Sequence, residues 1–194
     1  MPTLDSSFRV PEAAVDDLFV ARRSHRALSP EPLPRETIES LFEAARWAPS
    51  ANNGQPWLFV YADDEPGLAR LRSVVIERNR RWADRAPVLV LLFARRFKDG
   101  TREPIRTHAF DAGAAWMSLA LQAERLGLSA RAMGGIHLDA TYEVAGVSRD
   151  EHEIMCAIAI GRRGNVSALP ADLAQREIPS ARRPLREIAI RIGG

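Results

Sequence analysis

Two short segments of this chain carry residue types suited to holding a phosphorylated, polar-edged ring. One is Arg22-Arg23-Ser24-His25-Arg26; the other is Pro49-Ser50-Ala51-Asn52-Asn53-Gly54-Gln55-Pro56-Trp57. In extended backbone alternate side chains point the same way, so Arg22, Ser24 and Arg26 converge while Arg23 and His25 face elsewhere. Two guanidinium forks flanking a hydroxyl suit a phosphate dianion. A solvated basic turn, with Arg complementing a helix dipole, is the plainer account. In the second segment, side-chain amides stand at the mouth of an apolar strand and can read a ligand edge. Asn52-Asn53-Gly54 also makes an ordinary turn.

Two later motifs fit the same chemistry. Met133-Gly134-Gly135 ends a strand candidate, and paired glycines let a backbone N–H approach a flat ligand; a plain turn is an equal account. Arg182-Arg183-Pro184 could complete a phosphate site from afar or stand exposed. The sequence has no GxGxxG after a strand, no Walker A pattern, no HExxH and no GxSxG elbow. Rossmann, P-loop, zincin and serine-hydrolase chemistry are therefore not expected. His25, His108, His137 and His152 are scattered without ligand spacing, so we expect neither a metal nor a catalytic side chain.

These motifs need a scaffold, and the periodicity supplies one. Helices are predicted over Pro11–Ala21, Pro34–Trp47, Gly67–Arg81, Asp111–Leu126 and Leu138–Ala145. Strands are predicted over Trp57–Ala62, Val88–Phe93, Ser129–Met133, Ile154–Ile160 and Glu187–Ile192. Residues 95–107 form a charged loop, and Gly127 closes the long helix. Helices and strands interleave without a regular βαβ rhythm, which predicts an α+β fold: a mixed central sheet flanked by helices. Residues 161–186 have little periodicity and precede a well-alternating strand; an arm that wraps a second subunit is one use for such a stretch.

Composition narrows the class. The 194 residues are 46% hydrophobic and 27% charged, with a formal net charge of +2. That suits one domain over 1–194 with a substantial core. The balance of charge gives little support for nucleic-acid binding, although the pI is near 9.2. Lys98 is the one lysine among 27 basic residues, and codon bias explains that as well as function does. The single cysteine, Cys156, excludes an internal disulfide and sits in a strand-like run, where a packed thiol is expected. No run is long enough to cross a bilayer, and the N-terminus has no basic-then-apolar leader pattern, so a cytoplasmic location is expected.

In the order of its motifs the chain resembles the FMN-dependent nitroreductase family. The residues that carry the likeness are Arg22–Arg26, Ala44–Trp57, Asp111–Ala115, Leu126-Gly127-Leu128, Met133-Gly134-Gly135, Ile160-Gly161 and Arg183-Pro184-Leu185. The resemblance implies a homodimer with FMN at the subunit interface and C-terminal arms (161–194) exchanged between subunits. It implies a ping-pong oxidoreductase in which NAD(P)H reduces FMN, which then reduces a small-molecule acceptor such as a nitroaromatic or a quinone. By position, Arg22, Arg23, Ser24 and Arg26 hold the phosphate and ribityl end, with Arg182 and Arg183 closing on the phosphate. Asn53 and Gln55 meet the ribityl and ring edge. Met133, Gly134 and Gly135 offer a backbone N–H to the ring, and Pro49, Ser50 and Ala51 come from the other subunit. Two positions depart from the family pattern: Arg162 stands where Tyr-Pro is frequent, and Ala181 where a first late cation is expected. Loop 95–107 is the candidate lid. Dehalogenation or flavin fragmentation on the same scaffold, a non-catalytic FMN-binding module, and an Arg-rich nucleic-acid binder are the competing functions.

Overall fold

The computed structural model describes residues 9–193. The stretch before Arg9, which includes most of the N-terminus read above for a leader, and Gly194 lie outside the described residues. Four strands form one sheet: β1 (Trp57–Ala62), β2 (Val88–Arg95), β3 (Leu128–Met133) and β4 (His152–Arg162), in the order β1-β2-β4-β3. The helices are α1 (Asp17–Ala21), α2 (Arg35–Arg46), α3 (Glu65–Ser73), α4 (Glu77–Ala83), α5 (His108–Arg125), α6 (Leu138–Ala145), α7 (Ala171–Ala174) and α8 (Leu185–Ile188).

The α+β architecture is as expected, but the mixed strand directions are not: all three pairings are antiparallel. Two helices, α3 and α4, lie between β1 and β2, and β2 re-enters the sheet beside the end of β1, with Ala62 facing Leu89. β2 and β3 do run the same way, joined by α5, yet β4 lies between them. On β2, Leu89, Leu91 and Phe93 join one core with α3, α4, α6 and α7, while Val88, Val90 and Leu92 join another with α2 and α5. A strand buried on both faces reads as an unbroken apolar run, which is why β2 was visible as one.

Several bounds differ from expectation for tertiary reasons. The first helix spans only Asp17–Ala21, with the Asp16 side chain accepting from Leu18 N. Its predicted start at Pro11 is instead a strap of bends, held at Arg9 and Glu12 by contacts with distant segments. The helix predicted over Gly67–Arg81 breaks at Val74–Ile76, where Val75 bridges Ile136 and the Ile76 N–H bonds the Gly135 carbonyl at 3.2 Å. The strand predicted over Glu187–Ile192 is absent. Residues 185–188 make one helical turn, and Ile188, Ile190 and Ile192 stand exposed; extended backbone becomes a strand only where an edge pairs with it. Within 161–186, Leu169 and Leu173 are buried in the chain's own core, so the part free to reach a partner begins after Glu177.

Candidate functional site

The segment from Arg22 to Ser29 leaves α1 and runs past the far edge of the sheet. It is pinned where Leu28 bridges Arg163 and where the Gly164 N–H bonds the Ala27 carbonyl at 2.8 Å. Glu177 pins it from the other side: its carboxylate accepts the N–H of Arg26 at 2.5 Å and of Ala27 at 3.2 Å, and it pairs with the Arg26 guanidinium at 3.4 Å. The expected alternation is kept only in part. Arg22, Ser24 and Arg26 line one recess of about 260 Å³, and the Arg22 fork donates to Ser24 Oγ at 3.3 Å. Arg23, expected to face away, lines it too, because its guanidinium turns to the Glu177 carbonyl.

Of the rest of this wall, sequence alone singled out only Arg182. Arg9, Arg131, Arg176 and Arg182 complete the recess, from the N-terminal strap, β3, the segment after α7 and the C-terminal segment. Arg131 bonds the Ser24 carbonyl and stacks on Trp82 at 5.3 Å. Glu177 is the one carboxylate of the lining. The electrostatic consequence is strain. Burial, then repulsion from Arg182, holds Arg22 below the usual guanidinium range. Burial followed by Arg182, Arg22 and Arg23 does the same to Arg9, and burial followed by Arg26 to Arg131. Arginines stay charged regardless, so the lowered values measure like charges crowded out of water. His25, hydrogen-bonded through Nδ1 and Ser129 Oγ at 3.2 Å, is pushed down to about 4 by burial and by the surrounding Arg163, Arg23, Arg22 and Arg131. It is neutral at pH 7.

On one side the recess opens to a cavity of about 780 Å³, apolar along Val10, Phe19, Trp116 and Met117, with Arg182 and Arg183 on its wall. On the other it meets a 310 Å³ hollow lined by Asn79, Trp82, Met133, Gly134 and Gly135. The two glycines differ. A Cβ on Gly135 would sit 2.5 Å from Asn79 Nδ2 and 2.6 Å from an Ile76 methyl, so packing requires it; a Cβ on Gly134 would meet nothing within 4 Å. Gly134 therefore leaves room for a flat ligand. A ring of the kind implied by the resemblance fits this donor set: a phosphate-sized cationic recess, bare glycine backbone beside it, and apolar volume of ligand size.

The amide turn lies elsewhere. Pro49, Ser50, Ala51, Asn53 and Gln55 line none of these cavities. The turn is one short 3₁₀ element, Ala51–Asn53, carrying the only non-glycine residues with positive φ among those described: Asn52 at 52°, Asn53 at 56° and Gln55 at 41°. Left-handed backbone at three such positions is costly and is kept where surrounding structure enforces it. Here the Gln55 N–H bonds Ser50 Oγ at 3.0 Å, Gln55 Nε2 reaches Asn53 Oδ1 at 3.1 Å, and the Ala51 N–H bonds Asp111 Oδ2 at 3.2 Å. Asp111 is buried in the first turn of α5 and also accepts from Thr107 Oγ1 at 2.9 Å. Cys156 packs as expected, its thiol pushed up to about 11 by burial.

A family model described as "Nitroreductase family" matches residues 20–81 and 77–162. The chain belongs to the nitroreductase family. A crystal structure described as an oxidoreductase containing FMN superposes with a TM-score of 0.90 at 42% identity, over 96% of each chain. A curated protein of Xanthomonas oryzae pv. oryzae (strain PXO99A), named "Putative NADH dehydrogenase/NAD(P)H nitroreductase", is 32% identical over 141 residues, 63% of this chain and 72% of that one. Iodotyrosine deiodinase 1 of Rattus norvegicus is 32% identical over 101 residues, 40% of this chain and 35% of the deiodinase. The chain spans only 44% of the length of some other curated relatives that it matches. The family-matched stretch holds Arg22–Arg26, the amide turn and Gly134-Gly135; Arg9, Arg176 and Arg182 lie outside it. No helix among the described residues is long and apolar enough to cross a membrane.

Proposed function

We propose that this nitroreductase-family protein binds FMN and, as a homodimer, uses NAD(P)H to reduce electron-poor acceptors such as nitroaromatics and quinones by a ping-pong mechanism. The observation that carries this reading is the arginine-walled recess, which meets the Gly134 hollow on one side and the 780 Å³ cavity on the other. Its weight comes from a chain 42% identical to an FMN-containing oxidoreductase. FMN held by this cradle would supply the redox chemistry, hydride acceptance from a nicotinamide donor and reduction of the acceptor.

The chain's own residues do the placing. Arg22, Ser24 and Arg182 hold the phosphate through charge-assisted forks and one hydroxyl, with Arg183 beside them on the wall of the larger cavity, paired with Glu187. Arg26 and Arg131 set positive charge between that recess and Gly134, where it favours negative charge developing on a ring edge. The bare Gly134 backbone admits the flat ring. His25, neutral in its ring of cations, adds no further repulsion to the site. No described side chain is needed as a nucleophile.

The amide turn is rigid, yet it stands apart from the cradle of its own chain. That separation supports a site completed by the turn of a second copy, Pro49 to Gln55, with Phe110 exposed on α5 and the alternating isoleucines of the C-terminal arm available for contact. The test is the visible spectrum of freshly purified protein before and after anaerobic NADPH. A flavin spectrum that bleaches, and recovers on adding a nitroaromatic or a quinone, is expected; a colourless protein that takes up no FMN removes the reading. Reductive dehalogenation is the second reading, favoured by the likeness to a deiodinase. It predicts halide release from a halophenol under the same anaerobic conditions.

A further inference from the structure

The recess carries more positive charge than its family-matched residues account for, and the surplus has a pattern. Arg9 belongs to the strap that precedes α1, outside the stretch shared with the family. Its guanidinium donates to the Arg22 carbonyl at 3.0 Å, and it lines both the small recess and the large cavity. The strap is clasped to the opposite wall: Glu12 accepts the Leu185 N–H at 3.0 Å, and the segment just before Leu185 carries Arg182. Arg182 in turn rests one nitrogen on its own backbone and on Ser180 Oγ at 3.1 Å. Arg9, Arg22 and Arg182 thus reach the same recess from the N-terminal strap, the segment after α1 and the C-terminal segment.

We propose that Arg9 is a third guanidinium on the terminal phosphate of the flavin, forming with Arg22 and Arg182 a clamp that separates phosphorylated from unphosphorylated flavin. This rests on the FMN reading above. A phosphate monoester presents three peripheral oxygens and nearly two negative charges. Three forks meet that geometry, and the dianion offsets the repulsion from Arg182 that, after burial, lowers Arg9 and Arg22. Arg26 and Arg131 do not compete for the role, because the Arg26 guanidinium is held by its pair with Glu177 and Arg131 is held between Trp82 and the Ser24 carbonyl. A strap that only covered the cavity would need apolar residues, such as Val10 and Val15, and no cation at its start lining the recess.

The experiment titrates flavin-stripped full-length protein with FMN and, separately, with riboflavin, following flavin fluorescence. For Arg9→Ala we expect FMN affinity to fall roughly ten- to a hundredfold, as for loss of one charge-assisted contact, with riboflavin affinity unchanged. Arg9→Lys, a point charge without the fork, should fall between. FMN binding equal to the parent, or equal losses for FMN and riboflavin, overturns the clamp. Arg22→Ala separates the two levels: if it weakens FMN while Arg9→Ala does not, only the clamp fails. If the parent binds no FMN, the FMN reading fails and takes the clamp with it.

Discussion

The arginine recess and the amide turn are both polar, and both were noticed for the same ligand, but they are built on opposite principles. The turn is satisfied from within and by one buried acceptor, Asp111. Its strained left-handed backbone is closed by Ser50, Asn53 and Gln55 and anchored by Asp111. The recess does not: guanidiniums from several segments crowd one volume, and Glu177 is the one carboxylate in it. A self-satisfied loop is a rigid surface ready for a partner, whereas an unbalanced cluster of crowded, partly buried cations is a demand for an anion. The first costs stability in backbone conformation, the second in electrostatics.

That contrast can be broken at its strongest point. Arg22→Ala should weaken FMN binding by roughly 1.5–3 kcal/mol, the worth of a hydrogen bond to a charged group. The same change should leave the melting temperature of the flavin-free protein unchanged or higher, since it removes a repelled cation. A large fall in that melting temperature would mean that the recess is balanced without a ligand. Asp111→Ala should do the reverse. With the Ala51 N–H and Thr107 Oγ1 left without their acceptor, stability should drop by about 1–3 kcal/mol in chemical denaturation. A variant as stable as the parent would show that the turn holds itself.

Acid sharpens the comparison further. His25 has a folded pKa of about 4 against an unfolded value of 6.5. Between those values the unfolded chain takes up a proton that the folded chain refuses. Stability should therefore be full above pH 6.5 and fall as pH drops towards 4. His25→Asn should flatten that part of a melting-temperature profile, and bound FMN, by adding negative charge nearby, should lessen its slope. An unchanged slope in the variant would assign the acid sensitivity to other groups. The smallest effect belongs to the turn: Asn53→Gly relieves a positive φ and should change stability by less than about 1 kcal/mol, whereas Asn53→Val should cost more. Equal melting temperatures for the two would remove strain from the account.

The elements that were legible in sequence are those whose pattern is self-contained. Trp57–Ala62 and Leu138–Ala145 appear with the expected bounds, because an apolar, aromatic-rich run between Gly- and Pro-containing flanks and a helical stretch closed by Gly146 are local signals. The break between α3 and α4 was not legible. Val75 and Ile76 leave the helix only because residues 135 and 136, far along the chain, offer them pairing. The strand expected over Glu187–Ile192 had the right alternation but no edge to pair with in its own chain. In the recess, Arg22, Ser24 and Arg26 were singled out by spacing and Arg182 by its basic pair. Arg9, Arg131 and Arg176 were not, since an isolated arginine in a chain with 26 of them, as 27 basic residues less one lysine, carries no local mark.

From its sequence alone this protein's chemistry could be named: cations around a hydroxyl, amides at a strand mouth, paired glycines after a strand, and helices and strands able to carry them. Those properties follow from side-chain identity and from short-range backbone preference, which neighbours along the chain decide. Which arginines share one volume, and that the amide turn does not join them, was decided by tertiary structure. Burial of two cores against the faces of a single sheet sets where distant segments meet, and that free energy belongs to no single segment.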